Sequence, residues 1–416
     1  MNSTVILLII LVLVILYFIY EYYNSNKPIH VERFDAVSEQ LNKNITEFMK
    51  KYNIPAGQIS IIQDNKIVYS NSFGSMNCID SEINGIKNIP VTNDTVFRIA
   101  SCSKPITAMG ILYLISNNEL KFTDKAFLIL AQAGFIDMDT IVDNRLKDIT
   151  ILNLLRHEGG WDSDMHFENN SVIADPQTDA FRIATNDPLQ PANNVEIIQY
   201  MVTQPLDFTP GTKSVYSNFG YNVLGRVIEA ISGESYEDFI KQNIFSKVGI
   251  TNAYIGNELL ENRGLNEVMY CDQELGQRGY AIDPNIKFMV DTSYGNKFIM
   301  RAMDSHGGWV MSTTSLAKFG NGIITNKYFS SKLLNVIYNK PYYVTGNSFY
   351  SLGLNVESNK NGILLSHAGS LQYGTFALLI IVPKQKLTLA ATFNHSDTDV
   401  NAMATDLFKI LLPSYF

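Results

Sequence analysis

Cysteine is nearly absent. Cys78, Cys102 and Cys271 are the only three in 416 residues, odd in number and far apart, which argues against a disulfide framework and against a cysteine-built zinc site. Charge is also scarce, at 17% of residues, and leans acidic, with 32 Lys and Arg against 40 Asp and Glu for a net charge of -8. Nucleic-acid backbones are held by clustered Lys and Arg, and because no such cluster occurs, nucleic acid is disfavoured as a partner. Internal repeats and low-complexity tracts are lacking too, although asparagine is frequent. The start of a zinc-protease motif at His157-Glu158 has Trp161 where the second histidine belongs. The nearby Asp162, Asp164 and His166 match no ligand spacing, so no metal or cofactor is expected.

What the chain has is 46% hydrophobic residues, enough for a large core or two lobes. Its one long apolar run is Val5–Tyr20, which with its flanks approaches the ~20 residues needed to cross a bilayer core. Tyr17, Tyr20, Tyr22 and Tyr23 suit the interface. Neither a basic residue before the run nor a small-x-small cleavage site after it is present, so a retained single-pass anchor over residues 1–23 is expected in place of a cleaved signal. Lys27 and Arg33 are offset by Glu21 and Glu32, leaving the side of the membrane undecided. A short link, 24–30, then leads to one domain, 31–416.

That domain begins with an amphipathic helix marked by Phe34, Val37, Leu41, Ile45, Phe48 and Tyr52. A β-hairpin follows, Gln58–Ile62 and Ile67–Ser72 about Asp64-Asn65. Helical patterning covers Ser103–Ser116, Asn153 to Arg156, and Phe219–Ser232, the last stopping at Gly233. The C-terminal part changes period: Leu352–Val356, Ile363–His367, Thr375–Val382 and Leu387–Phe393 read as antiparallel strands, and Asp397–Leu412 as a closing helix. The expected fold is α+β, one antiparallel sheet assembled from both chain ends, with a mainly helical lobe at about 105–300 inserted into it and a ligand cleft between the lobes.

Ser101-Cys102-Ser103-Lys104 stands at the mouth of a helix, where residues three apart share a face. A serine hydroxyl becomes a useful nucleophile when a base takes its proton, and lysine serves as that base where its surroundings favour the neutral amine. Pro105 fits the first turn, which has no intrahelical N–H bond to lose. The pattern alone is weak, since Ser315 and Lys318 repeat it. Tyr-x-Asn occurs at Tyr22, Tyr216 and Tyr294, and His-x-Gly at His157, His306 and His367. Order and setting carry more: Ser101–Lys104 at a helix start, Tyr216-Ser217-Asn218 in a loop before a helix, His367-Ala368-Gly369 at a strand end. Cys102, with no paired His or Asn near it, reads as a small packed residue. His306 reads as a cleft or loop residue, and His30 and His395 as surface residues.

Four blocks in this order, TVFRIASCS with Lys104 (from Thr95), LLRHEGG (Leu154–Gly160), PLDFTPGTKSVYSNFGYNVLGRVIEAIS (Pro205–Ser232) and GGWVMSTTSLAKF (Gly307–Phe319), resemble the class C β-lactamase, DD-peptidase and esterase family from about residue 31 to the C-terminus. The resemblance implies a serine β-lactamase-like hydrolase, with Ser101 acylated by a carbonyl substrate and Lys104 and Tyr216 sharing the proton work. It places Asn218 on the substrate or on Lys104, and His367, Gly369 and Ser370 on the substrate-binding strand, with the N–H groups of Ser101 and Ser370 as oxyanion donors. His367 stands where many β-lactamases have lysine, which weakens the case for β-lactam hydrolysis. The implied partner is a small-molecule or peptide substrate: an ester, an amide or a D-amino-acid peptide. A catalytically silent, membrane-tethered binding module of the same fold is the alternative, since a fold does not fix a function.

Overall fold

The computed structural model describes residues 29–77, 89–162, 192–270, 278–280, 289–291, 299–371, 374–397 and 399–413. The expected anchor, 1–23, lies outside the described residues, as do Cys78, Cys271, Asp164, His166 and the side chain of His30. Among the described residues no helix is long and apolar enough to cross a membrane. The chain divides into two compact units, Met1–Glu47 and Phe48–Phe416. Helix α1, Ile29–Lys51, contains the boundary, and everything below concerns the second unit.

The expected hairpin forms as β1 (Ala56–Gln63) and β2 (Lys66–Gly74). Its turn places Asp64 and Asn65 at φ 48° and 67°, the left-handed region that short polar side chains tolerate best after glycine. Short β3 (Phe97–Arg98), β4 (Tyr254–Ile255) and β7 (Trp309–Met311) make a three-stranded sheet, and β5 (Arg278–Tyr280) pairs with β6 (Met289–Asp291). The C-terminal strands are β8 (Ser348–Ser351), β9 (Leu354–Asn359), β10 (Gly362–Leu371), β11 (Thr375–Val382) and β12 (Leu387–Phe393). With the first hairpin they build a seven-stranded sheet in the order β2-β1-β12-β11-β10-β9-β8, every pair antiparallel. The two chain ends meet where β1 pairs with β12, from Gly57 opposite Phe393 to Gln63 opposite Leu387.

Helices fill the interval: α2 (Ser103–Ser116), α3 (Ala126–Gln132), α4 (Ile151–Leu155), α5 (Asn194–Met201), α6 (Asn218–Ser232) and α7 (Tyr236–Asn243). Next come α8 (Thr313–Ile324) and α9 (Ser331–Leu334), and α10 (Val400–Leu411) closes the chain. All eight residues of β11 are buried, which explains its unbroken apolar run, since a strand covered on both faces has no polar side to alternate. On one face α8 comes close through Gly320, where a Cβ would stand 2.8 Å from Leu379. On the other the Phe48 ring packs 5.4 Å from Phe393. Each fully buried Leu, Ile or Phe here contributes about 1.5–3 kcal/mol.

Two expectations fail in instructive ways. The strand expected at Leu352–Val356 is a hairpin, because Leu352 and Gly353 form its turn at φ 50° and 80° between β8, which was not anticipated, and β9. Leucine is seldom left-handed. Here its side chain is fully buried, and a Cβ on Gly353 would stand 2.7 Å from Pro105 Cα, so the turn is pressed onto the start of α2. His395, expected at the surface, is 2% exposed, because it follows β12 into the interior.

Candidate active site

The chain enters the site through Ala100, buried and left-handed at φ 45°. A short 3₁₀ turn, Ala100–Cys102, then runs directly into α2. This places Ser101 at the rim and Lys104 in the first helical turn. Lys104 is fully buried, and burying an amine is costly unless its hydrogen-bonding positions are filled. Nζ lies 3.1 Å from Ser101 Oγ, 2.8 Å from Asn218 Oδ1 and 3.0 Å from the His306 carbonyl oxygen. Asn218 Oδ1 and the carbonyl can only accept, so they fix two amine hydrogens. The direction toward Ser101 is then the one where the amine can either donate or take a proton.

Tyr216 reaches the same oxygen from outside. Its hydroxyl donates to Ser101 Oγ at 2.8 Å, and the side chain is 43% exposed. The motif around it folds for local reasons. Ser217 is the N-cap of α6, its hydroxyl accepting from Gly220 N–H at 3.2 Å. Asn218, first in the helix, thereby points at Lys104, while Tyr216 stays in the loop. The Ser217 N–H donates to His157 Nδ1 at 3.2 Å. The His157 ring lies 4.5 Å from Tyr216, 5.1 Å from Tyr221 and 4.3 Å from Tyr350. Burial first, and then the Lys104 charge, hold the His157 imidazole well below its usual pKa, so it is neutral.

The third wall is β10. Its pairing with β9 stops at Ser366 opposite Asn355, leaving the following residues with one edge toward the serine turn. Gly369 is required there: a Cβ would stand 2.4 Å from Ile99 O and 2.9 Å from Ser101 N. His367 is 3% exposed, with Nδ1 2.6 Å from the Ala368 carbonyl and Nε2 3.0 Å from the Tyr350 hydroxyl. A carbonyl only accepts, so Nδ1 carries the hydrogen and Nε2 accepts from Tyr350. Burial, then Lys104, pushes the His367 pKa down to about 3. The Cys102 thiol donates to the His367 carbonyl at 3.2 Å, and burial raises its pKa to about 12. It is a packed thiol and not a second nucleophile.

Ser101, Lys104, Tyr216 and Asn218 therefore converge, with Gly369 packed on the serine turn and His367 tied to that turn through Cys102. Ser370 follows on the same strand, and its buried hydroxyl has no partner among the described residues. Sequence reasoning missed the His306 carbonyl, the tyrosine cage around His157, and Tyr350. No side-chain motif marks a carbonyl acceptor, and Tyr350 sits in the strand that was not anticipated. Asp162, weighed as a ligand, instead pairs with Lys213 at 2.9 Å.

A family model described as beta-lactamase matches residues 41–411. A putative D-alanyl-D-alanine carboxypeptidase of Escherichia coli (strain K12) is 22% identical over 388 residues, 89% of this chain and 84% of that protein. Among solved structures, the octameric penicillin-binding protein homologue from Pyrococcus abyssi aligns with TM-score 0.66 and 25% identity, covering 90% of this chain and 77% of that one. The D-amino acid amidase from Ochrobactrum anthropi SV3, complexed with L-phenylalanine amide, aligns with TM-score 0.64 and 18% identity, covering 91% of this chain and all of its own. That last likeness is one of fold.

Proposed function

The chain belongs to the beta-lactamase family, and from that premise we propose that it is a serine hydrolase that acylates Ser101 with an amide, ester or D-amino-acid peptide. The observation carrying this reading is the Ser101 hydroxyl, within hydrogen-bond reach of both the buried Lys104 amine and the Tyr216 hydroxyl.

In the proposed reaction Lys104 and Tyr216 together take the Ser101 proton as Oγ attacks the substrate carbonyl. The negative charge that develops on the carbonyl oxygen is met by the N–H groups of Ser101 and Ser370, in a site of this kind worth roughly 3–4 kcal/mol per donor. Gly369 lets the strand carrying Ser370 come close enough. Collapse of the tetrahedral adduct breaks the bond to the leaving amine or alcohol, which receives the proton through Tyr216. Water then attacks the acyl group by the same proton route, releasing a carboxylic acid and restoring Ser101.

His367 narrows the substrate. A neutral imidazole with both nitrogens engaged offers no cation beside the scissile bond, which favours amides and esters over β-lactams, whose carboxylate a lysine at that position would attract. The relative named as a putative D-alanyl-D-alanine carboxypeptidase supports an acyl group next to a D-configured centre. The test is turnover of D-amino-acid amides, simple esters, a D-alanyl-D-alanine peptide and a penicillin, each with wild type and Ser101→Ala. Ser101-dependent hydrolysis of the first two classes is expected. A folded protein that hydrolyses none of the four would turn the reading to a silent binding module.

A further inference from the structure

A cavity of about 400 Å³ is lined by the turn after α4 and by the segment 339–343. Arg156, His157 and Glu158 are consecutive in that turn, and their side chains divide. The His157 ring packs on the tyrosines of the active site, whereas Arg156 and Glu158 line the cavity. Both charged residues are buried, at 9% and 5% exposure, and each is bonded to other partners. Arg156 donates from one terminal nitrogen to the Asn339 carbonyl at 2.7 Å, and its Nε–H has no partner among the described residues. Glu158 accepts from the Tyr343 hydroxyl at 2.8 Å and from Asn153 Nδ2 at 3.1 Å. Burial raises the Glu158 carboxyl above its ordinary range, against those two bonds and the Arg156 charge.

Opposite charges taken out of water are normally paired, because the desolvation cost is recovered only in contact. Here they face one cavity; Lys340 and Asn339 also line it, and the rest of the wall is largely apolar and aromatic, with Phe122, Leu152 and Tyr342. We propose that this cavity binds a free amino acid with an apolar side chain, its α-carboxylate on Arg156, its α-ammonium on Glu158 and its side chain against Phe122, Leu152 and Tyr342. A zwitterion brings an opposite charge to each residue at once. A simple carboxylate would sit beside Glu158 and a simple amine beside Arg156, each against a like charge. The volume suits a small ligand. The site is independent of the chemistry proposed at Ser101, although its occupant would rest against the turn that carries His157 and so be felt at Tyr216.

The test is calorimetric titration of the intact protein with leucine and phenylalanine, and with their one-charge analogues 4-methylpentanoate, 3-phenylpropionate, isoamylamine and phenethylamine. The amino acids are expected to bind, and the one-charge analogues at least about tenfold more weakly. Arg156→Gln and Glu158→Gln should each weaken the amino acids by a comparable factor. If these buried substitutions unfold the protein, Tyr342→Ala decides, because that side chain is 83% exposed and its loss leaves the fold intact while weakening phenylalanine severalfold. Equal binding of the one-charge analogues, amino-acid binding unchanged in every folded cavity variant, or no binding at millimolar concentration would each overturn the proposal.

Discussion

The Lys104 amine lies 3.1 Å from the Ser101 hydroxyl, sealed from solvent, with Asn218 Oδ1 and the His306 carbonyl oxygen as its other acceptors. The amine is thereby aimed at the one oxygen the proposed chemistry must activate. Replacing Lys104 by Met keeps most of the volume but strands two buried acceptors. Stability should fall by about 1–3 kcal/mol, and kcat by about 10³ or more, as expected for a member of a unit that acts together. Thermal unfolding measured beside turnover separates the two effects.

Tyr216 offers the cleaner separation. Its side chain is 43% exposed and its hydroxyl reaches Ser101 Oγ at 2.8 Å. Tyr216→Phe should leave stability within about 0.5 kcal/mol of wild type while lowering kcat by roughly 10²–10⁴, the usual worth of a positioned proton donor and acceptor. Unchanged turnover would remove Tyr216 from the proton route.

Gly369→Ala tests the strand wall. The added methyl would meet Ile99 O at 2.4 Å and Ser101 N at 2.9 Å, contacts to backbone that cannot rotate away. Overpacking of this kind costs about 1–3 kcal/mol. Displacing the turn should lower kcat by about 10²–10³, the cost of a lost oxyanion donor. A variant as active as wild type would place the donors elsewhere.

How far these features could be read beforehand depended on whether side chains or backbone carried them. The Ser101–Lys104 spacing, the Tyr216-Ser217-Asn218 loop and the His367-Ala368-Gly369 strand were visible because each is written in side-chain types, and α2, β11 and β12 follow apolar patterning residue for residue. The hairpin turn at Leu352-Gly353 was hidden because leucine at φ 50° is held by burial and not by local preference. His306 was ambiguous for a similar reason: its contribution is a main-chain carbonyl, which any residue type would supply.

The histidines predict an acid limit to stability. His157, His306 and His367 are buried and neutral, with pKa values held below the ordinary 6.5 by burial first and by the Lys104 charge second, His367 at about 3. The unfolded chain binds these protons near pH 6.5 and the folded chain does not. The contribution is therefore intact above pH 6.5 and is lost as pH falls below it, for His367 down to about 3. The slope should be on the order of 1 kcal/mol per pH unit for each histidine. Denaturant melts at pH 7.5, 6 and 5 measure it, and a flat profile would mean that the imidazoles are not held neutral.

The most direct test of an activated Ser101 is intact-mass analysis after incubation with a fluorophosphonate, wild type beside Ser101→Ala. One adduct per chain on wild type and none on the variant is predicted, because only a hydroxyl with its proton drawn off by Lys104 and Tyr216 attacks the phosphorus at a useful rate. An unlabelled but folded wild type, or an adduct that persists in Ser101→Ala, would contradict the account.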